Sequence, residues 1–350
     1  MTLLAFARHI LFCLCLAGVS ALVVRAAIDA RMMDRPNSRS AHTMPTPKGG
    51  GIGIVTAFML GIAMLYGFAE FSRLADPYFR GVILSALVIA VVSFIDDLRD
   101  WPFVFKLSAQ IGAAIVAVAS GLVVSDVHLP YWGAVSLGLF GPVGTVLWVV
   151  YVTNAMNFMD GLNGLAAGVT LVACLFLAGI AAMLSGWFVY FASLVLAAGV
   201  LGFLPFNFPR ARIFMGDVGS QFCGFMLAML GVAAARFERV EMSLLLVPML
   251  LSGILFDVTF TLIRRSIAGD RITQAHRSHL YQIAHRSGMD PRWIALLHWG
   301  FVALGGLVAM AFVESPASVK PALPLLLLLP QMVWLGYVVM RARAADLGRW

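Results

Sequence analysis

Asp96, Asp97, Asp160 and Asp217 stand in a 350-residue chain that is 61% hydrophobic and only 12% charged. Each falls where a long apolar run ends. Carboxylates are costly beside lipid, and acids gathered at one membrane–water boundary suit a hard divalent cation and a phosphorylated ligand. Asp96 and Asp97 are adjacent, so their mutual repulsion calls for a cation or a shared proton. Asp217 follows Gly216, and Arg210 and Arg212 close by can neutralise phosphate charge. This pattern predicts an enzyme.

Three further clusters carry donors and acceptors. Asn154, Asn157, Asp160, Gly161, Asn163 and Gly164 read as a tight polar turn without a basic residue. Its amides suit the edges of a base or a sugar. Pro45 to Gly53 includes Lys48 and three consecutive glycines, whose backbone N–H groups at a helix start could hold phosphate oxygens. A glycine-rich helix start packed against another helix is the plainer reading. His276 and His279 are three apart and on a helix would share a face, beside Arg277. Zinc lacks a well-placed third ligand there, so phosphate or sugar contact is the better fit. Asp257 lies inside an apolar run and must face the bundle interior, to pair with a basic residue or to extend the site.

Positioning these groups falls to membrane helices. Mean hydropathy is +0.93. Continuous apolar runs occur at about 4–24, 50–69, 79–95, 104–123, 131–151, 163–184, 187–205, 219–236, 242–263, 293–313 and 322–340. Each is about long enough to cross a bilayer as a helix, and none alternates as a barrel strand would. The fold class is therefore all-α and polytopic, with 10–11 transmembrane helices in one integral-membrane domain over 1–350. The first run is a span rather than a cleaved signal, because Arg25 interrupts the small residues a cleavage site needs. Cys13, Cys15, Cys174 and Cys223 all fall within spans and show no metal or redox spacing.

Alternation of the spans places 18 of the 24 lysines and arginines on one side, leaving Arg8, Arg73, Arg80, Arg236, Arg239 and Lys320 on the other. Positive-inside bias makes the first side cytoplasmic, with the N-terminus out and the C-terminus in. The cytoplasmic loops are then about 25–49, 96–103, 152–162, 206–218 and 264–292, and all four acids lie on that side. The net charge of +7 mostly reflects these loops and could draw a polyanionic substrate. No basic segment carries interleaved stacking aromatics, so nucleic acid is not an expected partner.

The ordered set Asp96-Asp97, Asn154-Ala155-x-Asn157-Phe158-x-Asp160-Gly161 and Phe214-Met215-Gly216-Asp217-x-Gly219-Ser220 resembles the polyprenyl-phosphate N-acetylhexosamine-1-phosphate transferases, glycosyltransferase family 4. The resemblance covers nearly the full length. The peptidoglycan branch shows three consecutive histidines in the last loop and an aspartate where this chain has Asn163. The chain instead is similar to the bacterial branch that initiates O-antigen or related surface polysaccharides (lipopolysaccharide and cell-wall biogenesis).

The resemblance implies transfer of an N-acetylamino-sugar-1-phosphate (GlcNAc, GalNAc, FucNAc or QuiNAc type) from a UDP-sugar to undecaprenyl phosphate, releasing UMP at the cytoplasmic face of the bacterial inner membrane. It implies Mg²⁺, with Mn²⁺ as the alternative ion, on Asp217 with Asp97 close by. Asp96 would deprotonate or orient the lipid phosphate. Asp160 and Asn163 would line the uridine pocket, with Asn154 and Asn157 in the substrate site. Lys48, Arg212, His276, Arg277 and His279 would contact the diphosphate or sugar. A second copy, giving a homodimer, is a candidate partner. The alternative reading is a secondary transporter, whose binding acids would lie near the bilayer midplane rather than at one boundary.

Overall fold

The computed structural model describes residues 3–34, 45–68, 77–99, 101–237, 240, 242–271 and 276–348. The 35–44 part of the first loop, Arg73, Asp100, Arg239 and the stretch 272–275 lie outside the described residues.

The chain is a helical multi-pass membrane protein. Its helices are α1 (Leu3–Ala30), α2 (Gly51–Phe68), α3 (Pro77–Arg99), α4 (Phe103–Ala119), α5 (Phe140–Met159), α6 (Leu165–Met183) and α7 (Trp187–Asn207). Then follow α8 (Asp217–Ala234), α9 (Leu246–Leu250), α10 (Ser252–Ile267), α11 (Leu280–Arg286), α12 (Pro291–Glu314), α13 (Leu323–Leu326) and α14 (Leu328–Ala344). Among the described residues, seven helices are long and apolar enough to cross a membrane, and eight if the bent pair α9–α10 counts as one span. The other apolar helices are shorter, as in α2 and α4, or carry amides, as α5 does with Asn154 and Asn157.

Helix α8 is the centre of the bundle. Every residue from Val218 to Ala234 is buried, and α2, α3, α5, α6 and α7 all pack on it. A helix apolar all round belongs inside a bundle. At its start it meets α2 so closely that a Cβ on Gly51 would collide with the backbone of Gly219. The outer helices, α1 and the last span, expose most of their leucines, the surface expected to face lipid.

Three expectations change. The run read as a span from 131 begins instead with a short antiparallel hairpin, Asp126–Leu129 with Gly133–Ser136. Span five is α5, shifted toward the C-terminus, because Gly133 and Gly138 adopt positive φ and end helical geometry before Phe140. Span nine is not continuous: α9 and α10 meet at a 78° bend, between the helix-weakening Pro248 and Gly253. The loops are also narrower than expected. Asp96, Asp97, Asn154, Asn157 and Asn207 sit on helical turns rather than in loops. A second two-residue pairing, Met33–Asp34 with Thr46–Pro47, closes the first loop.

Candidate active site

One end of the bundle collects the C-termini of α3, α5 and α7 and the N-termini of α4, α6 and α8. A cavity of about 320 Å³ opens there. Asp97, Asp160 and Asp217 line it, together with Lys48, Asn157, Asn163, Arg277 and His285. Sequence-distant acids thus share one chamber.

Asp217 is the first residue of α8, and three side chains donate to its carboxylate. Its Oδ1 accepts from Asn157 Nδ2 at 3.0 Å. Its Oδ2 accepts from Lys106 Nζ at 2.9 Å and Gln221 Nε2 at 3.0 Å. Behind it runs a relay of amides: Asn154 Nδ2 donates to Gln110 Oε1 at 2.6 Å, and Gln110 Nε2 donates to Gln221 Oε1 at 2.9 Å. Asn154 therefore does not line the cavity but ends a chain that orients Asp217. Buried amides so arranged satisfy one another and fix a single geometry.

Asp97 caps α8 from another helix. Its Oδ1 accepts from Asp217 N at 3.2 Å and its Oδ2 from Val218 N at 3.0 Å. Capping is possible because Gly216 turns the chain at φ +76°, where a Cβ would press on the Asp97 carboxylate. These two amides are therefore taken by Asp97. The glycine-rich start of α2 is likewise occupied. Gly50 N donates to Phe214 O and Gly51 N to Met215 O, both at 2.9 Å. Beside them, Lys48 Nζ stands 3.9 Å from Asp97 Oδ1.

Asp96 departs from its expected place. Only 3% exposed, it accepts from Trp101 N at 2.8 Å and pairs with Lys106 Nζ at 2.6 Å. It is not among the residues that line the cavity, but it touches both Lys106 and the Asp217 carboxylate. Lys106, which bridges Asp96 and Asp217, was missed as a span residue, as were Gln110 and Gln221. Their signal was polarity within an apolar run, a feature that asks for a named partner.

Asp160 lies in the turn between α5 and α6. Burial pushes its carboxyl well above the usual range, and the Asp217 and Asp97 carboxylates push it further. Asn207 staples this turn to the loop before α8, accepting from Gly164 N at 2.6 Å and donating to Ile213 O at 2.9 Å.

The fifth loop divides. Arg277 lines the cavity, joined by Tyr281, Gln282, His285 and Arg286 of α11. His276 and His279 do not line it, nor do they share a helical face, since α11 begins only at Leu280. Their rings meet across a turn, with centroids 4.9 Å apart. His279 is buried against Asp257. Burial, then the neighbouring His279, Arg265 and Arg264, lowers His276 to about 4, so it is neutral at pH 7. Arg212 turns away as well, donating to Pro205 O at 3.3 Å and lying over the Phe206 ring.

Among the described residues no group of three or more His, Cys, Asp or Glu surrounds one point. That excludes a closed zinc-type cage there, not a magnesium site, which typically uses one or two carboxylates and leaves the remaining positions to water and substrate phosphates. Asp217 and Asp97, both facing the cavity, fit that requirement.

The match to known proteins follows the same segments. The family described as Glycosyl transferase family 4 matches residues 79–235. The chain is 31% identical to the probable undecaprenyl-phosphate N-acetylglucosaminyl 1-phosphate transferase of Bacillus subtilis, over 81% of this chain and 78% of that protein. It is 33% identical to the decaprenyl-phosphate N-acetylglucosaminephosphotransferase of Mycobacterium tuberculosis, over 79% and 75%. A phospho-N-acetylmuramoyl-pentapeptide-transferase of Streptococcus thermophilus is more distant, at 28% over 70% and 76%. With relatives above 30% identity over most of both chains, and with its acids joined in one cavity, this chain belongs to glycosyl transferase family 4.

Proposed function

We propose that the protein transfers an N-acetylamino-sugar-1-phosphate from a UDP-sugar to undecaprenyl phosphate, releasing UMP. The observation that carries this reading is the cavity itself: Asp97, Asp160 and Asp217 face Lys48, Arg277 and Arg286 where the helix ends meet. An acceptor with a phosphate head and a prenyl tail requires a site at such a boundary. N-acetylglucosamine appears in the names of the Bacillus and Mycobacterium relatives, which makes UDP-GlcNAc the first donor to test, before the GalNAc, FucNAc and QuiNAc analogues. The product would begin O-antigen or a related surface polysaccharide at the cytoplasmic face of the inner membrane.

An oxygen of the lipid phosphate attacks the sugar-bearing phosphorus, and the bond from that phosphorus to the bridging oxygen breaks. UMP leaves with the bridging oxygen. Positioning and charge neutralisation are the main demands of such a step. Mg²⁺ on Asp217, with Asp97 alongside, would neutralise diphosphate charge. Lys106, anchored by Asp96, keeps Asp217 aimed at the cavity. Lys48, Arg277 and Arg286 contact phosphate oxygens, while Asp160 and Asn163 meet the uridine.

Purified protein with Mg²⁺, undecaprenyl phosphate and a panel of UDP-amino sugars should release UMP with one donor preferred. The Asp217→Asn variant should insert normally and release none. Normal turnover by it would remove the metal assignment. Orientation has its own check: a cysteine introduced by Asn163→Cys should react with a membrane-impermeant maleimide only from the cytoplasmic side.

A further inference from the structure

Asp257 is 1% exposed on α10 and lines no part of the cavity described above, yet it is saturated with hydrogen bonds. Its Oδ1 accepts from Leu280 N at 2.9 Å, from His279 Nδ1 at 3.2 Å and from Thr261 Oγ1 at 3.2 Å. Its Oδ2 accepts from Tyr281 N at 3.1 Å. These N–H groups open α11. That helix is seven residues long, too short to hold itself in water, and depends on its terminal cap and its packing.

What α11 carries explains why the cap matters. Gln282, His285 and Arg286 reach the cavity from it. Tyr281, buried beside Asp257, donates its hydroxyl to Phe158 O at 2.7 Å. Burial pushes that hydroxyl's pKa well up, so it stays a donor. Phe158 lies in the last turn of α5, two residues before Asp160 and the turn bearing Asn163. A chain of direct contacts therefore runs from Asp257 through Tyr281 to the turn that meets the uridine in the proposed reaction.

We propose that Asp257 is the positioning residue of the nucleotide-sugar half of the site, holding α11 and, through Tyr281, the Asp160 turn. This rests on the transferase reading above. It neither touches substrate nor exchanges a proton with it. The carboxylate is required because it offers enough lone pairs for two backbone amides, an imidazole N–H and a hydroxyl at once.

Two measurements test it on the full-length protein in detergent or nanodiscs. In Asp257→Ala, amide hydrogen exchange over 279–287 should quicken by about tenfold or more while α8 peptides keep their protection. In the same variant KM for the UDP-sugar should rise by about tenfold, with KM for undecaprenyl phosphate within about twofold of wild type. Asp257→Asn, which keeps one carbonyl oxygen, should fall between the two on both measures and carries the test if the alanine variant does not fold. Unchanged exchange over 279–287, an equal rise in both KM values, or a fall in kcat alone would overturn the proposal. If wild-type protein releases no UMP while Asp257→Ala still loosens 279–287, the reaction fails and the positioning contact stands.

Discussion

Asp97 and Asp257 do the same local work in different surroundings. Each is buried on one helix and caps the start of another, Asp97 on α8 and Asp257 on α11. Each satisfies amides that a helix start otherwise leaves orphaned. The difference lies in what else the carboxylate can see. Asp97 lines the cavity within 3.9 Å of Lys48 and beside Asp217. Asp257 sees only protein, its remaining capacity taken by His279 and Thr261. A cap that faces a chamber can also serve chemistry there, whereas a closed cap can only place things. The same distinction removes the transporter reading's strongest residue, because Asp257 is held in a fixed network rather than along an ion path.

The comparison is tested most sharply by making one change at both positions. Asp97→Asn and Asp257→Asn each trade a carboxylate for an amide whose NH₂ cannot accept, so each leaves a helix amide poorly partnered at about 1–3 kcal/mol. Thermal stability should fall by similar amounts. Activity should not. Asp97→Asn should lower kcat by about a thousandfold, since it removes charge from the reacting chamber, while Asp257→Asn acts on KM. UMP-release kinetics that gave both variants one profile would erase the distinction drawn here.

Lys106 offers the next largest effect. It joins Asp96 to Asp217, and α11's cap has no comparable lysine. Lys106→Met should lower turnover by about a hundredfold, because Asp217 loses the donor that aims it and Asp96 is left buried without its partner. Turnover within threefold of wild type would reduce Lys106 to a packing residue.

How much of this was legible beforehand depended on chain locality. Most helical spans could be read from hydropathy, since a membrane helix needs a continuous apolar run, but their ends could not: α5 starts only at Phe140 and the span before Ile267 is bent. Topology and family resemblance predict four acids together; Asp97, Asp160 and Asp217 share a cavity, while Asp96 does not line it. Lys106, Gln110 and Gln221 stayed hidden because their partners lie across helices, and no period in the sequence records which faces meet. Arg212 and His276 carry the right charge or chemistry, but side-chain direction put them elsewhere. Lone backbone donors at Gly50 and Gly51 looked free for the same reason: their acceptors, Phe214 and Met215, are more than 150 residues away.

The smallest expected effect concerns the edge of α11's cap rather than its centre. His276 sits beside the His279 ring, its Nδ1 near Ser278 Oγ at 2.9 Å, and its pKa is lowered to about 4. An unfolded histidine titrates near about 6.5. Between these values the unfolded segment binds more protons than the folded one, so stability from this group is present above about 6.5 and is lost as pH falls toward 4. Hydrogen exchange over 276–279, corrected for the intrinsic pH dependence of amides, should accelerate as pH drops from 7 to 5. His276→Ala should flatten the response without reaching the UDP-sugar KM, because His276 does not line the cavity. A pH response that survives His276→Ala would place the titrating group elsewhere.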